Sequence, residues 1–375
     1  MLDLSAAFDT VDHQVLKNDL EKMGIREGAL GWLVNYLENR YFYVQINENF
    51  SKKVALKFGV PQGSVMGPIL FLLYVRGLSD IFTQHAVSHH QFADDSQGYD
   101  LFDITKTSLN NIITLILRIK FWLKKKFQKL NEEKTKFMLL GSKKKLKDFQ
   151  RQNDVSHITI NNYDVEIRHE LKDLGIFIDE NLTLHSQIKK LVKSCNHQIR
   201  NLYFVKKYVT KICLKMLVVN QILSRIDYCN TIYTNLPNCL LKKLQICINK
   251  AARLVEGIQW ADRVTPCLIS LHWLPVKARI LYKICCITKN ALLTDKPAYL
   301  KAHLHSSRTR LLIPRVHSTY GKRTFKYYAP HYYNSLPRNL RESTNMDKFK
   351  KQLKTYLFSL AYDLEMKTLT QDFRV

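Results

Sequence analysis

The sequence predicts an α+β protein in two regimes, mixed helix and strand up to about residue 180 and mostly helix afterwards. Three observations carry this. Before 180, short stretches of two-residue alternation or of aromatic and β-branched residues recur. After 184, apolar residues at three- and four-residue spacing dominate. Glycine and proline number only 12 and 9 in 375 residues, so no flexible linker announces a boundary.

Residues 13–37 carry Leu16, Leu20, Met23, Leu30, Leu33 and Leu37 at helical spacing, broken near Gly24 and Gly28. "YFYVQIN" at 41–47 predicts a strand by its aromatic and β-branched content. After "GVPQGS" the apolar run 68–82 predicts a helix starting near Ser64. "HHQFADDSQGYD" sets apolar or aromatic residues on both sides of Asp94-Asp95, as a tight hairpin does. Residues 107–123 align Leu109, Ile112, Ile113, Ile116, Ile119 and Leu123 on one helical stripe. "HITINNYDVEI" alternates around Asn161-Asn162 as a second hairpin, and "LGIFID" is a short further strand. From 184 the pattern is helical: "QIKKLVKSCNHQIRNL", then 208–228, then Leu241, Leu244, Ile248, Ala251 and Val255. Residues 260–375 mix helical patterns with turn clusters such as "HWLPV" and "NSLPRNL".

The formal net charge is +26 and unevenly placed. Residues 1–100 hold 8 Lys/Arg and 12 Asp/Glu, net −4, and the rest hold 50 and 20, net +30. A solvated surface alone accounts for some basic excess. An excess this lopsided favours a partner with a phosphate backbone over an anionic membrane surface. The eight cysteines all follow residue 190, with no C-x-x-C pair and no zinc-knuckle spacing with the 13 histidines. Buried free thiols in a reducing compartment are the expectation. No secretory signal opens the chain, and "PILFLLYV" at 68–75 is too short to cross a bilayer. The expectation is therefore an intracellular protein of the nucleus or cytoplasm with no membrane partner.

The acidic residues carry the chemistry. Adjacent carboxylates repel, so Asp94 and Asp95 at a hairpin tip imply a neutralising cation, although turn chemistry alone explains most such pairs. Oxygen-only ligation suits Mg²⁺. Asp3 lies in an apolar "LDL". In a βαββ sheet the first strand and the central hairpin lie side by side, which brings Asp3 to Asp94 and Asp95. Three carboxylates on adjacent strand ends hold two Mg²⁺ ions roughly 3.5–4 Å apart, the clamp used for in-line phosphoryl transfer. Between them lies "FGVPQGSVMGP" at 58–68. There Gly59, Gly63 and Gly67 permit close backbone approach, Pro61 stiffens the entry, Gln62 offers an amide and Ser64 caps the helix.

In order and spacing these segments resemble the reverse transcriptases of LINE-type (non-LTR), jockey-like retrotransposons. "LDLSAAFDTVDH", "GVPQGSVMGPILFLLY" and "FADDSQ" look like the family's first three catalytic motifs. "KLNEEKTKFMLLG" resembles the lysine-bearing fourth and "LKDLGIFID" the primer grip. "RIDYCNTIYTNLP", "LQICINKAARLV", "LHWLPVKARI" and "YYNSLPRNLRE" are similar to segments that follow the polymerase core. The resemblance implies an RNA-directed DNA polymerase with RNA template, DNA primer and dNTP as partners and two Mg²⁺ as cofactors. It makes Asp3, Asp94 and Asp95 the metal-binding triad. Phe8 becomes the steric gate against a ribose 2′-OH, or else simply core. Gln62 touches the incoming nucleotide, in a pocket shaped by Gly59, Pro61 and Gly63. Lys134 is a proton donor to pyrophosphate, or else a solvated lysine, and Leu174 and Gly175 form the primer grip.

The resemblance divides the chain into a palm at 1–180, a helical thumb-like segment at 181–258 and a basic C-terminal region at 259–375. It also implies an N-terminally truncated chain, because relatives carry an endonuclease domain and polymerase fingers before this point. A catalytically inactive nucleic-acid-binding remnant of the same element is the alternative. Lys126 departs from the family's usual Asn, and Arg76-Gly77 from its usual Asn-Asp. "YGKRTFKYYAPHYY" at 320–333 reads equally as a base-stacking surface or a half-buried aromatic cluster.

Overall fold

A computed structural model describes residues 1–101, 107–153, 157–160, 163–307 and 310–362. The chain forms two compact units, Met1–Leu171 with Glu180–Leu182, and Lys172–Asp179 with Thr183–Val375. The class is α+β, with helices and small antiparallel ladders.

The first unit opens with β1 (Leu4–Ser5) and α1 (His13–Lys22). Asp12 starts α1, its carboxylate accepting the Val15 N–H at 2.8 Å. Leu16 and Leu20 turn into the core. Gly24, at φ +88°, ends that turn, and α2 (Glu27–Leu37) follows with Gly28 inside it, so Gly24 alone makes the break. The strand expected at 41–47 is two pieces: β2 (Tyr41–Phe42) pairs with β5 (Val54–Ala55), and β3 (Gln45–Ile46) with β4 (Asn49–Phe50). All four are exposed, so no buried face enforces one continuous register.

Two residues past Ser64 begins α3 (Met66–Val75), and after Arg76 comes α4 (Gly77–Gln84). At that joint Gly77 lies flat on Trp122, where an added Cβ would stand 3.0 Å from the indole ring. Together Met66–Gln84 is long and apolar enough by composition to cross a bilayer. The expectation above rests on the shorter run at 68–75. Here Leu70, Phe71, Tyr74, Leu78 and Phe82 of this stretch are spent on the core of the first unit.

The hairpin β6 (Ser88–Phe92) and β7 (Asp95–Tyr99) turns at Ala93-Asp94. After it α5 (Thr107–Lys125) buries Leu115, Ile116, Ile119 and Leu123. Next come β8 (Lys129–Leu130), α6 (Lys143–Asn153) and the pair β9 (His157–Ile160) and β10 (Tyr163–Glu166). The turn residues Asn161-Asn162 lie outside the described residues. The chain then passes to the second unit through the hairpin of β11 (Glu170–Asp173) and β12 (Ile176–Asp179).

The expected neighbourhood of first strand and hairpin is present in the backbone. Leu2 pairs antiparallel with Ser96 of β7, and Leu4 with Leu130 of β8. The segment Met1–Ser5 is thus bonded on both edges.

The second unit is helical. Asp179 accepts the N–H groups of Thr183 at 2.8 Å and Leu184 at 2.6 Å, fixing the entry to α7 (His185–Val205). Next, α8 (Lys211–Val218) runs through a π-helical turn, Val219–Leu223, into α9 (Ser224–Asp227). In α10 (Asn238–Glu256) the predicted stripe Leu241, Leu244, Ile248, Ala251 and Val255 is entirely buried. Then follow α11 (Thr265–Ser270), α12 (Val276–Thr294), α13 (Ala298–Lys301), α14 (Phe325–Asn334), α15 (Arg338–Arg341) and α16 (Met346–Tyr362). One hydrophobic core runs from Leu184 on the α7 entry to Leu357 on α16. All eight cysteines are free; Cys195, Cys247, Cys267, Cys285 and Cys286 are buried as expected, whereas Cys213, Cys229 and Cys239 are exposed, against the expectation of buried thiols.

Gln187 is the buried polar pivot of this unit. Its amide oxygen accepts the Phe177 N–H at 3.0 Å, and its nitrogen donates to the Tyr233 hydroxyl at 3.0 Å. Gln187→Leu strands both partners inside the core, and should cost about 1–3 kcal/mol, read as a lower urea midpoint at unchanged m.

Candidate active site

Asp3 owes its position to alternation along its strand. Leu2 and Leu4 are buried, so Asp3 points from the opposite face, where it is part-exposed. Ser96 is buried in the same way, which sends Asp95 to that same outer face. Leu2 and Ser96 exchange backbone hydrogen bonds, Leu2 N–H to Ser96 O at 2.8 Å and Ser96 N–H to Leu2 O at 3.4 Å. In that antiparallel register Asp3 stands opposite Asp95, with Asp94 next to it in the turn. The backbone therefore brings the three acids into one neighbourhood. Their side chains are not gathered into a ligand set: among the described residues no three His, Cys, Asp or Glu side chains converge to hold a metal ion.

Lys134 pairs with Asp3, its Nζ 3.9 Å from Oδ2. Asn131 builds this approach. Its N–H donates to Asp3 O at 2.8 Å, and its side chain accepts the Lys134 N–H at 3.2 Å. The turn after β8 thus hangs from the Asp3 strand and carries Lys134 above it. Sequence reasoning passed over Asn131. Its place directly after an apolar strand and three residues before the lysine was the available signal.

The glycine-rich segment is fastened to the loop that follows Asp3. Gly59 N–H donates to Val11 O at 2.7 Å, and Val60 N–H to Phe8 O at 2.9 Å. His13 Nε2 lies 2.7 Å from Gly59 O. Gly59 has φ +86°, and a Cβ there would stand 3.0 Å from the Asp9 Cα. Glycine is required on both counts. Gly63, at φ +79°, faces open space. Pro61 O accepts the Ser64 hydroxyl at 2.7 Å, and Ser64 Oγ accepts the Gly67 N–H at 3.0 Å, closing the turn into α3. The exposed Gln62 amide donates to Asp9 Oδ1 at 2.9 Å. Asp9, a further partner that the motif reading left out, therefore orients the residue expected to meet the nucleotide. Phe8 is half-buried, its ring 4.7 Å from that of Phe71, so one side packs on the core.

Lys126 fills its unusual position by pairing with Asp19 and lying over the rings of Tyr74 and Trp122. In the second unit, Leu174 and Gly175, at φ +40° and +87°, form the two-residue turn between β11 and β12, and Leu174 O accepts the Tyr228 hydroxyl at 2.6 Å.

Residues 1–202, more than half of the chain, match the family described as reverse transcriptase (RNA-dependent DNA polymerase). The chain belongs to the reverse transcriptase family. Its relatives include the probable RNA-directed DNA polymerase from transposon X-element of Drosophila melanogaster, 26% identical over 269 residues, covering 70% of this chain and 29% of that protein. The polymerase from transposon BS of the same species is 25% identical over 206 residues, covering 54% and 22%. The RNA-directed DNA polymerase from mobile element jockey of Drosophila funebris is 23% identical over 268 residues, covering 70% and 28%. The resemblance to jockey-like, LINE-type reverse transcriptases is thereby borne out. The chain spans less than a third of the length of these relatives.

Gly59 and Gly63, both left-handed, differ in their surroundings. A left-handed φ costs alanine about 1–2 kcal/mol, the expected loss for Gly63→Ala. Gly59→Ala should lose more, because its methyl also meets the Asp9 backbone. Urea midpoints of the two variants should fall in that order.

Proposed function

We propose that this chain carries the palm and thumb of an RNA-directed DNA polymerase of a non-LTR retrotransposon, joining dNTPs to a primer on an RNA template. One observation carries the reading: the Leu2–Ser96 register sets Asp3 across from Asp95, while the loop holding Gln62 is bonded to the stretch that follows Asp3. An all-oxygen set of part-exposed carboxylates suits divalent cations, Mg²⁺ in particular. Asp3, Asp94 and Asp95 would hold two such ions, which when bound stabilise charge on the attacking and leaving oxygens.

The chain's own groups do the remainder. Gly59–Gly63 offers backbone close to the nucleotide, and Gln62, oriented by Asp9, contacts it. The primer 3′-hydroxyl gives its proton to solvent and its oxygen bonds to the α-phosphorus as the bond to pyrophosphate breaks. Lys134 supplies a proton to the departing pyrophosphate. The exposed side of Phe8 faces the sugar, where a 2′-OH would clash. The basic remainder of the chain tracks duplex phosphates without reading bases.

A second reading, a nucleic-acid-binding remnant without catalysis, draws support from the carboxylates that do not converge. Mg²⁺-dependent extension of a primed RNA template separates the two. Under the polymerase reading the chain extends the primer, and Asp94→Ala lowers the rate by about 100-fold or more with template–primer affinity kept. A folded chain that binds primed template and adds no nucleotide supports the remnant.

A further inference from the structure

The second unit holds a cavity of about 460 Å³ walled by residues 233–241, one side of α12 and the stretch 319–332. That volume falls within the ~300–1,000 Å³ of small-molecule sites. Its charged lining has a single sign: Lys277, Lys322 and Arg323, with no Asp or Glu. Lys277 and Lys322 form no ion pair among the described residues.

The lining is also aromatic. The His331 ring stacks on Tyr327 at 5.8 Å and 22°, and meets Tyr332 edge-on at 5.1 Å. Asn235 ties the 233–241 wall to the 319–332 stretch, donating to Lys322 O at 2.8 Å and accepting the Tyr332 hydroxyl at 3.2 Å. The cavity therefore has its wall bonded in place, and its lining combines the ammonium groups of Lys277 and Lys322 with tyrosine and histidine rings.

We propose that this cavity binds a nucleoside phosphate, the base against the Tyr327–His331–Tyr332 wall and the phosphate between Lys277 and Lys322. A free mononucleotide and one nucleotide of a single strand share that chemistry. Every residue lies in the unit that does not contain Asp3. Neutral stacking alone tolerates any base, and two cations add an anion requirement and a salt dependence.

The test uses the full chain with a single-stranded 12-mer RNA carrying 5-iodouridine. Photocrosslinks should map within 320–333 and vanish in Lys277→Gln/Lys322→Gln, whose affinity by anisotropy should drop about tenfold with a shallower salt slope. Lys242→Gln/Lys243→Gln, the same charge loss on exposed α10 positions, should stay within about twofold. Circular dichroism and thermal midpoints verify folding of both. Displacement of the oligonucleotide from these crosslinks by millimolar UMP identifies a free-nucleotide site, and resistance to UMP identifies a strand site; either supports the pocket. Crosslinks only outside 320–333, or crosslinks untouched by the Lys277/Lys322 change, overturn it. Asp94→Ala should leave the crosslinks intact, so failure of the polymerase reading does not carry this one with it.

Discussion

Backbone hydrogen bonds on both edges of Met1–Ser5 are the constraint on which the candidate centre depends. On one edge stand Leu2 and Ser96, and on the other Asp3 O with Asn131 N–H and Met1 O with Lys136 N–H at 2.9 Å. Each such bond is worth only about 0.5–1.5 kcal/mol net, so their importance is geometric. Because side chains alternate along a strand, a slip of one residue would bury Asp3 and expel Leu2 and Leu4. The apolar neighbours of the acid therefore act as its register lock. The same strand suspends the Asn131 turn, and with it Lys134.

A second layer of constraint joins segments far apart in sequence. Phe8 and Val11 hold Gly59 and Val60 through the backbone, and Asp9 holds Gln62 through its side chain. Around them the core accommodates departures from the family pattern. Lys126 is charged and mostly buried, yet Asp19 neutralises it and two aromatic faces solvate it. Gly77 removes a side chain where the indole of Trp122 needs the space.

Helices with a clear apolar stripe were legible from the sequence. The stripe of α10 is buried as read, and the break near Gly24 sits where a left-handed residue is needed. Order and spacing of the motif segments were legible too, because strand alternation and turn chemistry are local. What escaped were features set by distant partners. The aromatic stretch at 41–47 has strand composition, but composition does not reveal that Ile46 remains 68% exposed. Asp9 and Asn131 look ordinary alone, and gain meaning only once the fold delivers Gln62 and Asp3 to them.

The π turn at Val219–Leu223 invites one more thought. Four of the five residues buried along that helix, Leu214, Val218, Ile222 and Ile226, recur every four positions, and the fifth is Leu223. An α-helix turns about 100° per residue, so each such step overshoots a full revolution by about 40°. The widened turn reclaims part of that drift and keeps the four side chains facing the same core. Across this stretch the phase of the helix is set by counting residues. Conservative exchanges among Leu, Ile and Val leave that phase intact, whereas loss of a single residue turns everything after it to a new bearing.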